Sequence, residues 1–253
     1  STNIKPIGTG TERTEQVLSQ YFPTNRIVRI DRDSTQSQRA FKELFAAIND
    51  GEPCIIVGTQ MLAKGHDFPK LNTVVIINAD GGLFSSDFRA VEKTAQLIMQ
   101  VAGRAGRRQQ RGRVLLQTQL ANHPIIKSLC QHDFLGIYRS EIVLRRQAKL
   151  PPVYSMCIIR ADAKSMQSGL QQLNLFKEQL FKLALPELRV LGPAPSLLQR
   201  KQNRFHCALW LLAPNKNNLR KAINRWLEWR QATNAKENSR VRWLLDVDPA
   251  ETL

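Results

Sequence analysis

Two arginines three positions apart, Arg104 and Arg107, close the run Gln100-Val-Ala-Gly-Arg-Ala-Gly-Arg107 and are the side chains best suited to chemistry in this sequence. Residues at that spacing share one side of a helical turn. A guanidinium is always charged and offers a fixed fork of donors, so the pair fits a phosphoryl group that is gaining charge. A second polar loop stands upstream, Gly58-Thr-Gln-Met-Leu-Ala-Lys-Gly-His-Asp-Phe68. In it Gly65 lets the backbone approach a ligand closely, and Lys64 and His66 are exposed basic candidates. Asp67, taken alone, reads as the cap of an ordinary strand-to-helix connection. The elements that must position these groups are also readable. Cys54-Ile-Ile-Val57, bounded by Pro53 and Gly58, predicts a buried parallel strand that delivers the first loop at its carboxyl end, where open α/β sheets hold ligands. The arginine run follows a helical pattern from Phe88 to Val101.

With those residues in place, Thr59, Gly65 and Asp67 resemble motif V, and Gln100, Gly103, Arg104 and Arg107 resemble motif VI (Q-x-x-G-R-x-x-R), of the second RecA-like lobe of superfamily 2 helicases. The segment Asp80-Gly-Gly-Leu-Phe-Ser-Ser-Asp-Phe-Arg-Ala-Val-Glu92 is more particular and is similar to the PriA family of replication-restart helicases, also called primosomal protein N′. So are Gly8-Thr-Gly-Thr-Glu12, Arg29-Ile-Asp-Arg-Asp-Ser34, Leu150-Pro-Pro152 and Leu245-Asp-Val-Asp-Pro249. The resemblance runs from about Gly8 to the end of the chain.

It implies ATP with Mg2+, shared with a first lobe that this chain lacks. Arg104 and Arg107 would then serve the γ-phosphate and interlobe coupling, and Gly65, Asp67, Gln100 and Gly103 the nucleotide. Thr59, Lys64, His66, Arg108, Arg111 and Arg204 would contact DNA. The whole protein would unwind DNA 3′ to 5′ at stalled forks and load the replicative helicase together with PriB, DnaT and single-stranded DNA-binding protein. No G-x-x-x-x-G-K-[ST] loop and no Asp-Glu-x-x motif occurs in the sequence, so the chain by itself is expected neither to bind ATP tightly nor to hydrolyse it. Two rival readings are a non-catalytic scaffolding module, which has no need of both arginines, and an RNA helicase lobe, against which the Asp80 to Glu92 segment argues.

Composition agrees with a polyanionic partner. The 253 residues are 42% hydrophobic, enough for a real core, and carry a formal charge of +16, which does not by itself separate DNA from RNA or an anionic membrane surface. No apolar run approaches spanning length and no signal peptide opens the chain, so a cytoplasmic protein is expected. Cys54, Cys130, Cys157 and Cys207 form no C-x-x-C pair and read as reduced core thiols. The resembling family carries a zinc insertion whose last cysteine pair precedes a segment like Ser1 to Gly8. The chain, which opens without methionine, therefore reads as a carboxyl-terminal fragment without zinc ligands.

In chain order, Asn3 to Ile7 reads as a short strand. Gly8-Thr-Gly-Thr-Glu12 then opens a helix with Val17 and Leu18 inward, its glycines either binding phosphate through amides or capping the helix. A strand over Arg26 to Ile30, a helix over Gln38 to Ile48 and the central strand Thr73 to Asn78, expected to be buried on both faces, make a parallel-sheet lobe. Asp80 and Asp87 read as loop-closing and capping groups before general acids. Val114 to Thr118 closes the sheet, and helices over Pro124 to Leu129 and Phe134 to Lys149 lead out. From Tyr154 the order becomes β-α-β-β-α-β, the split motif of ferredoxin-like folds. The expectation is an α/β protein, with a RecA-like helicase lobe over 1–150 and a smaller α+β domain over 151–253. The second domain's face is expected to carry Arg200, Lys201, Arg204, Lys216, Arg220, Lys221, Arg225, Arg240 and Arg242. Its tryptophans read as core before base-stacking platforms.

Overall fold

β-branched strands alternating with amphipathic helices set the architecture, which is a mixed α/β protein with small sheets. The computed structural model describes residues 10–30, 46, 48, 52–59, 68, 70–103, 112–201, 203–232 and 241–250, the side chains of 197–201 excepted. These residues group into two compact units, one drawn from 1–84 and 93–132, the other from 85–92 and 133–253.

In the first unit, helix α1 (Thr11–Tyr21) starts at Gly10 without a side-chain cap. Strand β1 (Arg26–Ile30) pairs in parallel with β2 (Cys54–Gly58), and β3 (Thr73–Ile76) pairs in parallel with β4 (Arg113–Leu116). Val28, Ile30, Ile48 and Phe68 form one core, with Cys54, Ile56 and Leu71 against it. Two expectations need correction. Helix α1 buries none of its residues, and Val17 points outward. β3 is not buried on both faces. The cross-strand partners Val75 and Leu115 are 58% and 48% exposed, while Val74 and Ile76 are half-buried. The strand is packed on one side only, so a continuous apolar run behaves as a period-2 strand.

Past β3 the chain turns through Asn78, which takes a left-handed conformation (φ 54°) and accepts from the Gly81 amide to cap the short helix α2 (Ala79–Leu83). Helix α3 (Ala90–Ala102) follows, burying Ala95 and Ile98. A Cβ at Gly82 would sit 2.8 Å from the Thr94 hydroxyl, so only glycine lets these two helices approach this closely. Helix α4 (Pro124–Cys130) has proline in its first turn and His123 as cap. Cys130, expected in the core, is exposed at the last residue of that helix, next to the buried Leu129.

The second unit contains helix α5 (Phe134–Ala148), capped by Asp133 and ended by Lys149 in a left-handed conformation just before Leu150-Pro-Pro152. Then come β5 (Ser155–Ala163), α6 (Met166–Phe181), β6 (Arg189–Lys201), β7 (Arg204–Ala213), α7 (Lys216–Ala232) and β8 (Val241–Val247), in the expected alternation. The four strands make one antiparallel sheet ordered β6-β7-β5-β8. Cys157, Ile159, Ala161 and Ala163 of β5, with Cys207, Leu209 and Leu211 of β7, meet Leu173, Phe176 and Leu180 of α6 and Leu219, Ala222 and Trp226 of α7. Each fully buried aliphatic side chain of this kind contributes roughly 1.5–3 kcal/mol. Met156, Ile158, Ala208 and Leu212 face the other way, under Phe88, Leu150, Tyr154 and Trp210.

The sequence reads as a strand only over Arg189 to Leu191, and β6 runs well past it. Pro193 and Pro195 cannot donate to a ladder, but β6 is an edge strand, and it absorbs them in register shifts around Gly192 (φ 96°).

Candidate functional site

Strand β2 delivers Thr59, which is exposed immediately beyond its carboxyl end. The next candidates, Lys64, Gly65, His66 and Asp67, lie outside the described residues. At the far side of that loop Phe68 is buried in the β1–β2 core, and its carbonyl accepts from the Leu71 amide at 3.0 Å. The loop is therefore anchored by an apolar group at one end and by a strand at the other.

Helix α3 carries the other half of the site. Asp87, itself buried, accepts from the Arg89 amide at 3.0 Å through its carboxylate and from the Ala90 amide at 2.8 Å through its carbonyl, so it caps the helix as its residue type predicts. Nearly three turns after Ala90 Gln100 is exposed, and three residues on Gly103 ends the helix with its amide donating to the Met99 carbonyl at 2.9 Å. A Cβ at Gly103 would make only ordinary contact, 3.4 Å from the Met99 oxygen. The helix end itself therefore does not require glycine. Arg104, Arg107, Arg108 and Arg111 lie outside the described residues.

Asp80 is a clamp. Its carboxylate accepts from the Thr118 hydroxyl at 2.5 Å and from the Gln119 amide at 2.7 Å. These bonds, the Gln119 amide first and Thr118 second, hold its carboxyl below the usual carboxylate range, so it is an anion and an acceptor. These bonds are those of the loop-closing group that the sequence reading favours at this position. Gln117 completes the joint by accepting from Asn78 through its side chain at 3.1 Å and from the Ala79 amide through its carbonyl at 3.0 Å. Phe84 and His123 meet edge to face at 5.0 Å.

In the second unit the cations do not share one face, which corrects the expectation. Arg204 and Arg242 lie on the strands with the side-chain parity that points away from the helices. Lys216, Arg220, Lys221 and Arg225 belong to α7, which packs on the sheet's opposite side through Leu219, Ala222 and Trp226. Arg200, Lys201 and Arg240 lie outside the described side chains. Arg204 is partly buried and donates to the Asp162 carbonyl at 2.6 Å, while the Asp162 carboxylate meets His206 Nδ1 at 2.5 Å across the β5–β7 pair. Trp226, Trp229 and Trp243 stack edge to face within the core, and Trp210 packs under the other face of the sheet.

Two features were missed in the sequence. One is the Asp162–His206 pair, which follows only once the β5–β7 register is known. The other is Arg145, buried at 7% exposure on α5, with Nη1 2.9 Å from Glu92 and Nη2 3.8 Å from Glu141. Its signal was available: Phe134, Ile137, Glu141 and Arg145 continue one stripe at spacings of three and four. Among the described residues no group of three or more His, Cys, Asp or Glu is placed to hold a metal, and no helix is long and apolar enough to cross a membrane.

A carboxyl-terminal helicase region is the class these elements define: residues 8–109 match the helicase conserved C-terminal domain, the stretch holding both glycine-spaced loops. Residues 146–250 match the primosomal protein N C-terminal domain. The chain is 38% identical over 251 residues to the replication restart protein PriA of Haemophilus influenzae, covering 99% of this chain and 34% of that protein. With the Bacillus subtilis protein of the same name it shares 35% identity over 205 residues, 81% of this chain and 26% of the relative. With that of Chlamydia trachomatis it shares 33% over 249 residues, 97% and 32%. The chain thus spans about a quarter to a third of the length of these relatives, and it belongs to the PriA family.

Proposed function

We propose that this chain is the second motor lobe and adjoining DNA-engaging domain of an ATP-dependent 3′ to 5′ DNA helicase that recognises stalled or branched replication forks and starts primosome assembly. The observation that carries this reading is the tandem match, a helicase C-terminal domain followed by a primosomal C-terminal domain, in a chain whose relatives are named for replication restart. The parallel pairings β1–β2 and β3–β4 support a RecA-like lobe over 1–150. The β-α-β-β-α-β succession with strand order β6-β7-β5-β8 supports a ferredoxin-like domain over 151–253, with α5 associating with it by packing.

In this reading ATP with Mg2+ sits between this lobe and a first lobe supplied by the rest of a longer protein. The Mg2+ ligands in this reading come from the triphosphate and from that other lobe. Gly65, Asp67, Gln100 and Gly103 border the nucleotide, and Arg104 and Arg107 clamp the charge that develops on the γ-phosphoryl group. Thr59, Lys64, His66, Arg108, Arg111 and Arg204 meet DNA, to which the charge of +16 draws the chain. Single-stranded DNA-binding protein, PriB, DnaT and the replicative helicase are its partners, in the cytoplasm.

Two preparations test this. The chain alone is expected to bind forked DNA, with a salt slope of about −0.7 per phosphate contacted on single strands, and to leave ATP intact. A protein of the relatives' full length that includes it is expected to hydrolyse ATP when forked DNA is added. DNA-stimulated hydrolysis by the chain alone sinks the shared site. Absence of hydrolysis in the longer protein returns the chain to a scaffold, and preference for RNA over forked DNA removes the assigned substrate.

A further inference from the structure

The two halves of one sheet face in the second unit are finished differently. Met156, Ile158, Ala208 and Leu212 lie on the side away from α6 and α7, and Phe88, Leu150, Tyr154 and Trp210 pack against them. Further along β5 the same parity brings Arg160 and Asp162 to this face, and the register sets Asp162 opposite His206 of β7 and Arg242 of β8. Arg242, Asp162 and His206 therefore stand in one row across three strands, its outer members about 10 Å apart. Arg160 stands one row to one side of Asp162, and Arg204, two residues before His206, one row to the other. Arg242 and Leu244 are exposed, whereas Arg160, Asp162, Arg204 and His206 are half-buried.

Charge decides what this open half can meet. Three guanidiniums are set around one carboxylate, and that carboxylate is itself engaged by His206 Nδ1 at 2.5 Å, while Arg204 donates to the Asp162 carbonyl at 2.6 Å. Asp246, the other carboxylate of this parity on β8, stands opposite Ile158, toward the covered half. On the far side of the sheet, two cations of α7 are engaged locally: Arg225 pairs with Glu228 and reaches Gln179, and Arg230 stands over Trp226. A single-stranded ligand needs aromatic faces on which its bases stack, besides cations. Among the described residues the open half offers no Phe, Tyr or Trp. Trp210 belongs to the covered half, Trp226, Trp229 and Trp243 pack on the helix side, and Phe205 shares the parity of Cys207, which faces the helices. Phosphate contacts made without base contacts are the signature of sequence-independent binding to a duplex. We propose that the open half of this sheet face, through Arg160, Arg204 and Arg242, seats the phosphate backbone of duplex DNA, and that the cations of α7 on the opposite side do not. The inference rests on the DNA-engaging function proposed above and gives that function one surface and a double-stranded ligand.

The test titrates the 253-residue chain with a blunt duplex and with a single strand of equal length, by fluorescence anisotropy at about 50 to 200 mM salt. Arg242→Gln is expected to weaken duplex binding roughly fivefold at about 0.1 M salt and to flatten the salt slope by about 0.9, the effect of one phosphate contact. Arg160→Gln is expected to do the same, and the double variant to flatten the slope by about twice that amount. Arg220→Gln combined with Lys221→Gln removes as many charges from α7 and is expected to leave duplex affinity within about twofold and the slope unchanged. Thermal melting checks that each variant folds, and Arg242→Gln, at an exposed position, carries the test alone should Arg160→Gln unfold. A folded Arg242→Gln chain with the parent's duplex affinity and slope overturns the inference. So does an equal loss in the α7 pair, which marks a response to net charge, and so does a loss confined to the single strand, which assigns this face to an unpaired ligand. A parent chain that binds neither nucleic acid overturns the proposed function instead, and the two failures are thereby distinguished.

Discussion

Asp80 and Gln119 are joined by a 2.7 Å bond from the Gln119 amide to the Asp80 carboxylate, which fastens the first turn of α2 to the segment leaving β4. Thr118 adds its hydroxyl to the same carboxylate. The folded carboxyl is held below its ordinary value, so its contribution is present above the unfolded carboxylate pKa and is lost as pH falls through the folded one. Asp80→Asn is therefore expected to melt at a lower temperature than the parent at about pH 7, with the gap closing below about pH 4. A gap independent of pH between those limits contradicts the clamp. Calorimetry across that range measures it.

Glu141 has the opposite sign. Burial raises its carboxyl above the ordinary value, nearby Arg145 pulls it back, and Glu92 adds to the rise. A raised folded value means that the favourable contribution is complete below the unfolded pKa and disappears as pH rises through the folded one. Glu141→Gln, which fixes the uncharged form, is expected to be at least as stable as the parent at about pH 7 and to lose that advantage near pH 4. A variant clearly less stable at neutral pH means that the pairing with Arg145 outweighs the desolvation.

Gly169 faces the sheet from α6. A Cβ there would lie 2.9 Å from Cys207 Sγ and 3.5 Å from the Ala163 methyl, both inside the main core. Overpacking of about 1–3 kcal/mol opposes the helix gain of about 1 kcal/mol from replacing glycine, so Gly169→Ala is expected to lower stability by denaturant titration. Combining it with Cys207→Ala removes the clash and is expected to recover most of the loss relative to Cys207→Ala alone.

Arg104→Ala in the longer protein is expected to lower ATP turnover by on the order of 10³ while fork affinity stays within about twofold. A comparable fall in both places Arg104 on the fold or on DNA instead of on the phosphoryl group. Arg107→Ala is expected to follow the same pattern, and the double variant to lose much less than the product of the two.

What was readable in advance follows from how locally each feature is determined. Gln100 and Gly103 lie three residues apart at the end of one helix, so the helical pattern read from Phe88 to Val101 was enough to place them. β5 and β7 were visible as apolar runs because both faces of each are packed. Features set by a partner distant in sequence were not visible. Val74 to Ile77 looks like a strand covered on two sides, yet Val75 and Leu115 form an exposed pair, because composition records apolarity and not which neighbours arrive. The reading of β6 ended at Leu191 because nothing in 189–195 says that this strand occupies the sheet's edge, where Pro193 and Pro195 are tolerated. The cations of the second domain looked like one surface until strand parity and the placement of α7 divided them between opposite sides. Arg145 was not singled out, since its burial depends on Phe88 and Glu92, more than fifty positions away.

The order β6-β7-β5-β8 puts the first strand of this sheet beside its last, with Cys157 opposite Val247 and Ala163 opposite Val241. During synthesis, β5 leaves the ribosome some eighty residues before the strand that flanks it is made. Until Val241 to Val247 emerge, one side of β5 is an unpaired edge, and that kind of edge recruits strands from other chains. Closing it demands a contact of long sequence separation, which is slow to form. A transcript truncated upstream of Val241 would therefore yield a product with its central strand open on one side, more prone to aggregate than to fold.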